Sequence, residues 1–110
     1  MGYEVYITQA DHWLDRDKDP ILEGAWKRVV ESDQTLQVSS EDYLERRGKD
    51  GSVERVHPVC WVTHPDSVPF WFVDGAIETK DPDEATIKKM VELAGKLGAR
   101  VIGQDGEEYT

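Results

Sequence analysis

His57, Cys60 and His64 are the residues whose types could hold a metal ion or supply a nucleophile. Imidazoles and a thiolate are zinc ligands, and a thiol beside an imidazole is the arrangement that cysteine nucleophiles need. Their spacing works against both uses. Val59-Cys60-Trp61-Val62-Thr63 is apolar almost throughout and reads as a central strand. On an extended strand, side chains three apart point to opposite faces, and four residues span about 13 Å at ~3.3 Å each. Metal–ligand bonds of about 2.0–2.3 Å close that gap only if Pro58 or Pro65 bends the chain sharply. Cys60 is therefore expected as a small buried hydrophobe. The run Asp15-Arg16-Asp17-Lys18-Asp19 lacks the Gly and the closing Glu of a calcium loop, and there is no Gly-rich phosphate loop and no G-x-S-x-G. With no nucleophile–base pair or ligand set at workable spacing, no metal, no cofactor and no enzymatic activity are expected.

Composition narrows the alternatives. The 110 residues are the length of one domain, 1–110, and suffice to bury a core without staples. A formal net charge of −10 argues against nucleic-acid or anionic-membrane binding, and it favours a basic partner. A single cysteine rules out an intramolecular disulfide framework. No apolar run approaches the roughly 20 residues of a membrane span. Met-Gly-Tyr-Glu-Val-Tyr lacks the basic region and apolar core of a signal peptide, so a cytoplasmic location is expected.

Any working residues must be positioned by the stretch from Pro69 to Gly98. Phe70-Trp71-Phe72-Val73 suits a strand, and Asp74-Gly75 is a strong type I′ hairpin signal into Ala76–Lys80. A two-residue turn places Val73 opposite Ala76, Phe72 opposite Ile77 and Trp71 opposite Glu78. Phe70, Phe72, Ile77 and Thr79 then share the core face, while Trp71, Val73, Ala76 and Glu78 share the other. Asp81 is expected to cap a helix with Pro82 in its first position, and Gly98 is expected to end it. Ile87, Met90, Val91, Ala94 and Leu97 form its apolar stripe.

Elsewhere, Tyr3–Thr8 alternates as a first strand with Val5 and Ile7 inward. Asp19-Pro20 signals a helix to about Glu31, with Ile21, Leu22, Ala25, Trp26, Val29 and Val30 on its apolar face. Leu36–Val38 reads as a short strand, and Tyr43–Arg47 with Ser52–His57 as a polar, exposed hairpin. Ala99–Gln104 reads as a closing strand, and Glu107–Thr110 as a tail that either pairs at an edge or frays. Together these predict an α+β fold: a two-layer sandwich of a mostly antiparallel sheet with two helices packed on one face.

Such a fold leaves one sheet face without helices. Tyr6, Trp71 and Glu78 are expected there, joined by Trp61 if Cys60 and Val62 point inward. Aromatics flanked by acids have the composition of a binding surface. Glu41, Asp42 and Glu45 add exposed negative charge.

Tyr-Glu-Val-Tyr-Ile-Thr, Trp-Val-Thr-His-Pro, Phe-Trp-Phe-Val-Asp-Gly-Ala-Ile-Glu-Thr-Lys-Asp-Pro-Asp-Glu and Leu-Gly-Ala-Arg-Val-Ile-Gly-Gln-Asp-Gly-Glu carry a resemblance. The chain resembles a group of small, acidic bacterial proteins, some of them thought to be immunity proteins of polymorphic toxin systems. The resemblance leaves Asp33–His57 uncovered, and no catalytic motif defines the group. It implies neutralisation of a cognate, basic toxin domain by direct contact. Trp61 and Trp71 would be the anchors, with Glu41, Asp42, Glu45 and Glu78 as acidic contributors and Tyr6 beside them. The alternative expectation is a housekeeping or regulatory homodimer that uses the same face on itself.

Overall fold

A computed structural model describes residues 3–110. In chain order the elements are β1 (Glu4–Thr8), a 3₁₀ turn (Trp13–Asp15), α1 (Glu23–Ser32), β2 (Leu36–Val38), β3 (Leu44–Arg47), β4 (Val53–Val56), β5 (Val59–Trp61), β6 (Val68–Val73), β7 (Ala76–Lys80), α2 (Glu84–Leu97), β8 (Arg100–Gly103) and β9 (Glu108–Tyr109). Seven strands form one sheet in the order β2-β5-β6-β7-β1-β8-β9, and every pairing is antiparallel. β3 and β4 pair only with each other, as a separate arm. The fold is α+β, with the two helices on the sheet.

The β6–β7 hairpin follows the expected register: Trp71 opposite Glu78, Phe72 opposite Ile77, Val73 opposite Ala76. Asp74 (φ 52°) and Gly75 (φ 83°) both take the left-handed backbone that a type I′ turn requires. β1 then slots between β7 and β8, placing Val5 and Ile7 beside Thr79, Ile77 and Val101. Against this face pack Trp26 and Val29 of α1 and Met90, Leu93 and Ala94 of α2, with Phe70 fully buried at the centre. Each such side chain stabilises the fold by about 1.5–3 kcal/mol on burial. Leu93 extends the stripe expected for α2, whereas Ile87, Val91 and Leu97 are only partly buried.

Both helix starts differ from the sequence expectation. Asp83, not Asp81, caps α2, accepting from the Thr86 amide at 2.8 Å. Asp81 has a left-handed backbone (φ 47°), and its carboxylate accepts from the Tyr3 amide at 2.7 Å, which ties the sheet instead. α1 starts at Glu23, and Leu22 gives it no side-chain cap. Asp19-Pro20 does not open it, because the Ile21 amide donates to the Gly75 carbonyl at 2.8 Å and Pro20 lies against Gly75.

Among the described residues, a largely buried ion pair joins α2 to the end of α1. Lys89 on α2 donates to Asp33, just past α1, at 2.7 Å and to Glu92 at 3.0 Å, and its ammonium lies 5.8 Å from the centre of the Trp61 ring. Burial pushes the Asp33 carboxyl up. Hydrogen bonds from Lys89 and from the Thr35 hydroxyl and amide outweigh that and hold it at about 2.

Two predictions follow from this packing. A Cβ at Gly75 would lie 2.4 Å from Pro20 Cβ and 2.7 Å from Pro20 Cα, whereas one at Gly51, which shares the φ of 83°, meets nothing within 4 Å. In urea unfolding, Gly51→Ala should lose only backbone strain, about 1 kcal/mol, while Gly75→Ala should lose at least twice that. The second concerns pH. A carboxyl held at about 2 when folded, against 3.8 when unfolded, binds fewer protons in the native state. Its contribution is fully present above pH 4 and disappears as pH falls towards 2. The stability difference between the wild type and Asp33→Asn should therefore shrink by about 2 kcal/mol between pH 7 and pH 2.

Candidate functional site

The helix-free sheet face is not an open aromatic surface. β1 alternation does turn Tyr6 away from Val5 and Ile7, but Tyr6 is 3% exposed rather than solvent-facing. The segment after β1 folds back over it. Trp13 stacks on the Tyr6 ring with centroids 4.9 Å apart and planes within 8°, and the Trp13 indole donates to the Gln104 carbonyl at 2.8 Å. The Arg16 guanidinium lies over both rings, 5.9 Å and 5.6 Å from their centres. Trp13 thus covers the back of β1.

Trp61 is also displaced from its expected place. β5 pairs Val59 with Phe70 and Trp61 with Val68, so Val59 and Trp61 point to the helices and Cys60 points away. Trp61 packs partly buried against the core, beside Lys89 and His64. Trp61 and Trp71 therefore lie on opposite faces and cannot form one surface.

Glu78 and Trp71 are half-buried on the back face. Burial raises the Glu78 carboxyl, with Glu4 adding to the shift and Arg16 and Lys80 opposing it. This is a carboxylate held among structural neighbours, opposite Tyr6 in the ladder.

His57, Cys60 and His64 point to three places. The His57 Nδ1–H donates to the Asp42 carbonyl at 2.8 Å, at the base of the arm. Cys60, half-buried, sits opposite Gln37 and Pro69 on the back face, where burial pushes its thiol up and disfavours the thiolate. His64 is 8% exposed, its Nδ1 accepts from the Asp66 amide at 3.0 Å, and its Nε2–H donates to Asp83 at 2.8 Å. The imidazole thus buttresses the cap of α2. Among the described residues no group of three or more His, Cys, Asp and Glu side chains is placed to hold a metal ion.

The part of the molecule with no packing role is the β3–β4 arm. All four residues of β3 are exposed, and so are the first three of β4. Glu41, Asp42 and Glu45 are exposed at its base and on its first strand, as expected from the sequence. With them are apolar side chains in water: Tyr43, Leu44, Val53 and, on β2, Val38. The Gly48–Ser52 turn is held by Asp50, which accepts from the Ser52 amide at 3.0 Å and hydroxyl at 2.7 Å. Arg55 stacks over Tyr43 at 4.5 Å, and Arg46 forms an ion pair with Asp74 at the β6–β7 turn.

Between the arm and α1 lies a groove of about 700 Å³. Trp26, Val30, Val59 and Phe72 form its floor, with Val38 and Val56 at its sides. Its charged residues, among them Glu31 and Glu54, are all at the exposed rim. Sequence reasoning missed this groove. The available signal was Val38 and Val56, apolar residues in a segment otherwise polar enough to read as a solvated hairpin.

Comparison of the chain with protein-family models, with curated proteins and with solved structures returns no match. Among the described residues, no helix is long and apolar enough to cross a membrane.

The arm's attachment is testable. Exposed ion pairs contribute about 0–1 kcal/mol. Arg46→Ala should therefore shift the global unfolding free energy by less than about 1 kcal/mol, yet amide hydrogen exchange across residues 44–56 should speed up several-fold while β1, β7 and α2 stay protected.

Proposed function

We propose that this chain is an immunity-type binding protein, which neutralises a cognate bacterial toxin domain by direct protein–protein contact. The observation that carries this reading is the arm, an exposed two-stranded hairpin that displays apolar and acidic side chains together on an otherwise packed body. A lone two-stranded hairpin is marginal in water, so contact with a partner would add much to its stability. Mixed aromatic, aliphatic and charged surface suits the core and rim of a protein interface. The net charge of −10 fits a basic partner, drawn in by long-range attraction. The resemblance to small acidic proteins associated with toxin systems points the same way. On this reading the working surface moves from the sheet face around Trp71 and Glu78 to the arm, where Glu41, Asp42 and Glu45 stand in water. The reading is of binding without catalysis.

The direct experiment is co-expression with the product of the adjacent gene. A one-to-one complex that survives purification, together with protection of the host from that product, is the expected outcome. Reversing Glu41, Asp42 and Glu45 to Lys should weaken the complex roughly 10–100-fold, at about 0.5–1 kcal/mol per exposed charge. Most of that loss should appear as slower association with a shallower dependence on salt, because less charge attraction is left to screen. No complex and no protection would sink the proposal.

A further inference from the structure

We infer that the groove between α1 and the arm receives a segment of the protein partner that presents large apolar side chains flanked by Lys or Arg. This rests on the binding role proposed above and assigns the chemistry of what is bound. Two properties of the groove specify that chemistry.

The first is the distribution of polarity. The floor is aromatic and aliphatic, with Trp26 at 4% and Val59 at 6% exposure, and Phe72 and Val30 partly open above them. The polar groups all stand at the rim, in water. A small polar ligand needs buried polar groups that converge on it. A floor without them offers burial to apolar side chains, which is how a protein segment anchors in a groove.

The second is which rim charges remain free. Lys27 faces Glu23 at 3.7 Å, Arg46 is held by Asp74, and Arg55 lies over Tyr43. Lys27 and Arg46 are thus paired with carboxylates, and Arg55, which keeps its charge, is drawn onto an aromatic face. Glu31 on the α1 side and Glu54 on the arm side enter no ion pair among the described residues. The groove is therefore apolar below and bounded on both sides by an uncommitted carboxylate. An incoming segment with Lys or Arg beside its apolar anchors supplies what is missing, whereas an acidic or uniformly apolar segment does not.

The test uses the full chain, immobilised, against a displayed library of random 16-residue peptides. The expected result is enrichment of peptides with two or more large apolar residues beside Lys or Arg. Their affinity should fall at least tenfold in Glu31→Lys/Glu54→Lys. Both positions are exposed, and Glu31 lies in the last turn of α1, where a cation suits the helix dipole; Glu54→Lys would face Arg46 across the arm, so the neutral Glu31→Gln/Glu54→Gln, which should keep the wild-type unfolding midpoint, should show a loss in the same direction. Val38→Lys, at a 61% exposed groove wall, should lose binding as well. Glu41→Lys/Asp42→Lys/Glu45→Lys should leave peptide affinity within about threefold, since these residues do not line the groove.

No enrichment, enrichment of acidic peptides, or binding indifferent to Glu31→Lys/Glu54→Lys would each overturn the inference. So would a homodimer in light scattering that Val38→Lys dissolves, because the groove would then hold a second copy. The two proposals fail separately. A toxin complex lost with the Glu41/Asp42/Glu45 reversal but untouched by the Glu31/Glu54 reversal sinks the groove and spares the immunity role. Basic-apolar peptides that depend on Glu31 and Glu54, with no toxin complex, do the reverse.

Discussion

The back cover of the sheet, the lead-in to α1 and the arm meet at the Asp74-Gly75 turn. Two left-handed residues in sequence are what let β6 and β7 join with the natural strand twist, and that alone would explain the pair. The turn does more. Gly75 leaves room for Pro20, and its carbonyl accepts from Ile21, so the chain can pass from the back of the sheet to the helix side at this point. Asp74 faces Arg16, which arrives from the back face, at 3.7 Å, and Arg46, which arrives from the arm. A single carboxylate thus sees two guanidinium groups from two separate segments. The turn is both the corner of the hairpin and the joint by which the back cover, α1 and the arm are aligned.

The same economy of charge explains how so acidic a chain stays compact. Self-repulsion at a net −10 disfavours any collapsed state. Most Lys and Arg side chains stay in water, but two cations are confined where they are partly desolvated. Lys89 is 10% exposed between Asp33, Glu92 and the Trp61 ring, and Arg16 is spread over Tyr6 and Trp13. Aromatic faces and carboxylates at short range are worth more to a partly desolvated cation than to one in water. The surplus carboxylates are left on the surface, the arm among them, where they cost little.

The hairpin, Trp61 and Tyr6 show what could be read from the chain. Asp-Gly permits one register, so the partners of Trp71, Phe72 and Val73 were legible, as were the α+β class and the closing strand. β5 reaches β6 through Val62–Ser67, a connection whose length selects no register, and there the facing of Trp61 came out reversed. Pairing Val59 with Phe70 buries two large apolar groups together, which the strand pattern of an apolar run does not encode. For Tyr6 the alternation was right and the burial was not. Its cover comes from a segment polar in composition, where only Trp13 and Arg16 touch the ring. The sequence pointed to Asp81 as the cap, but a tertiary bond to the Tyr3 amide takes that carboxylate and Asp83 caps the helix instead. The groove stayed hidden for the same reason: its floor and its walls come from α1, β2, the arm and β6, and no local pattern joins them.

The separation of arm from body is a division of stability that suits recognition. The body is held by non-local pairing: β1 enters the middle of the sheet only between strands formed more than 60 residues later, so it opens as a unit or not at all. The arm has two strands, no core of its own and a few exposed tethers, so it can adjust while the body remains folded. Adjustment costs affinity, since ordering each rotamer-rich side chain at an interface takes about 0.5–1.5 kcal/mol. The tethers limit that cost in advance. Arg46 on Asp74, His57 on the Asp42 carbonyl and Arg55 over Tyr43 hold the arm close to one position without burying it. A surface that is nearly ordered yet unburied keeps its apolar and acidic groups available to a partner, and it places them across a groove whose floor belongs to the rigid body.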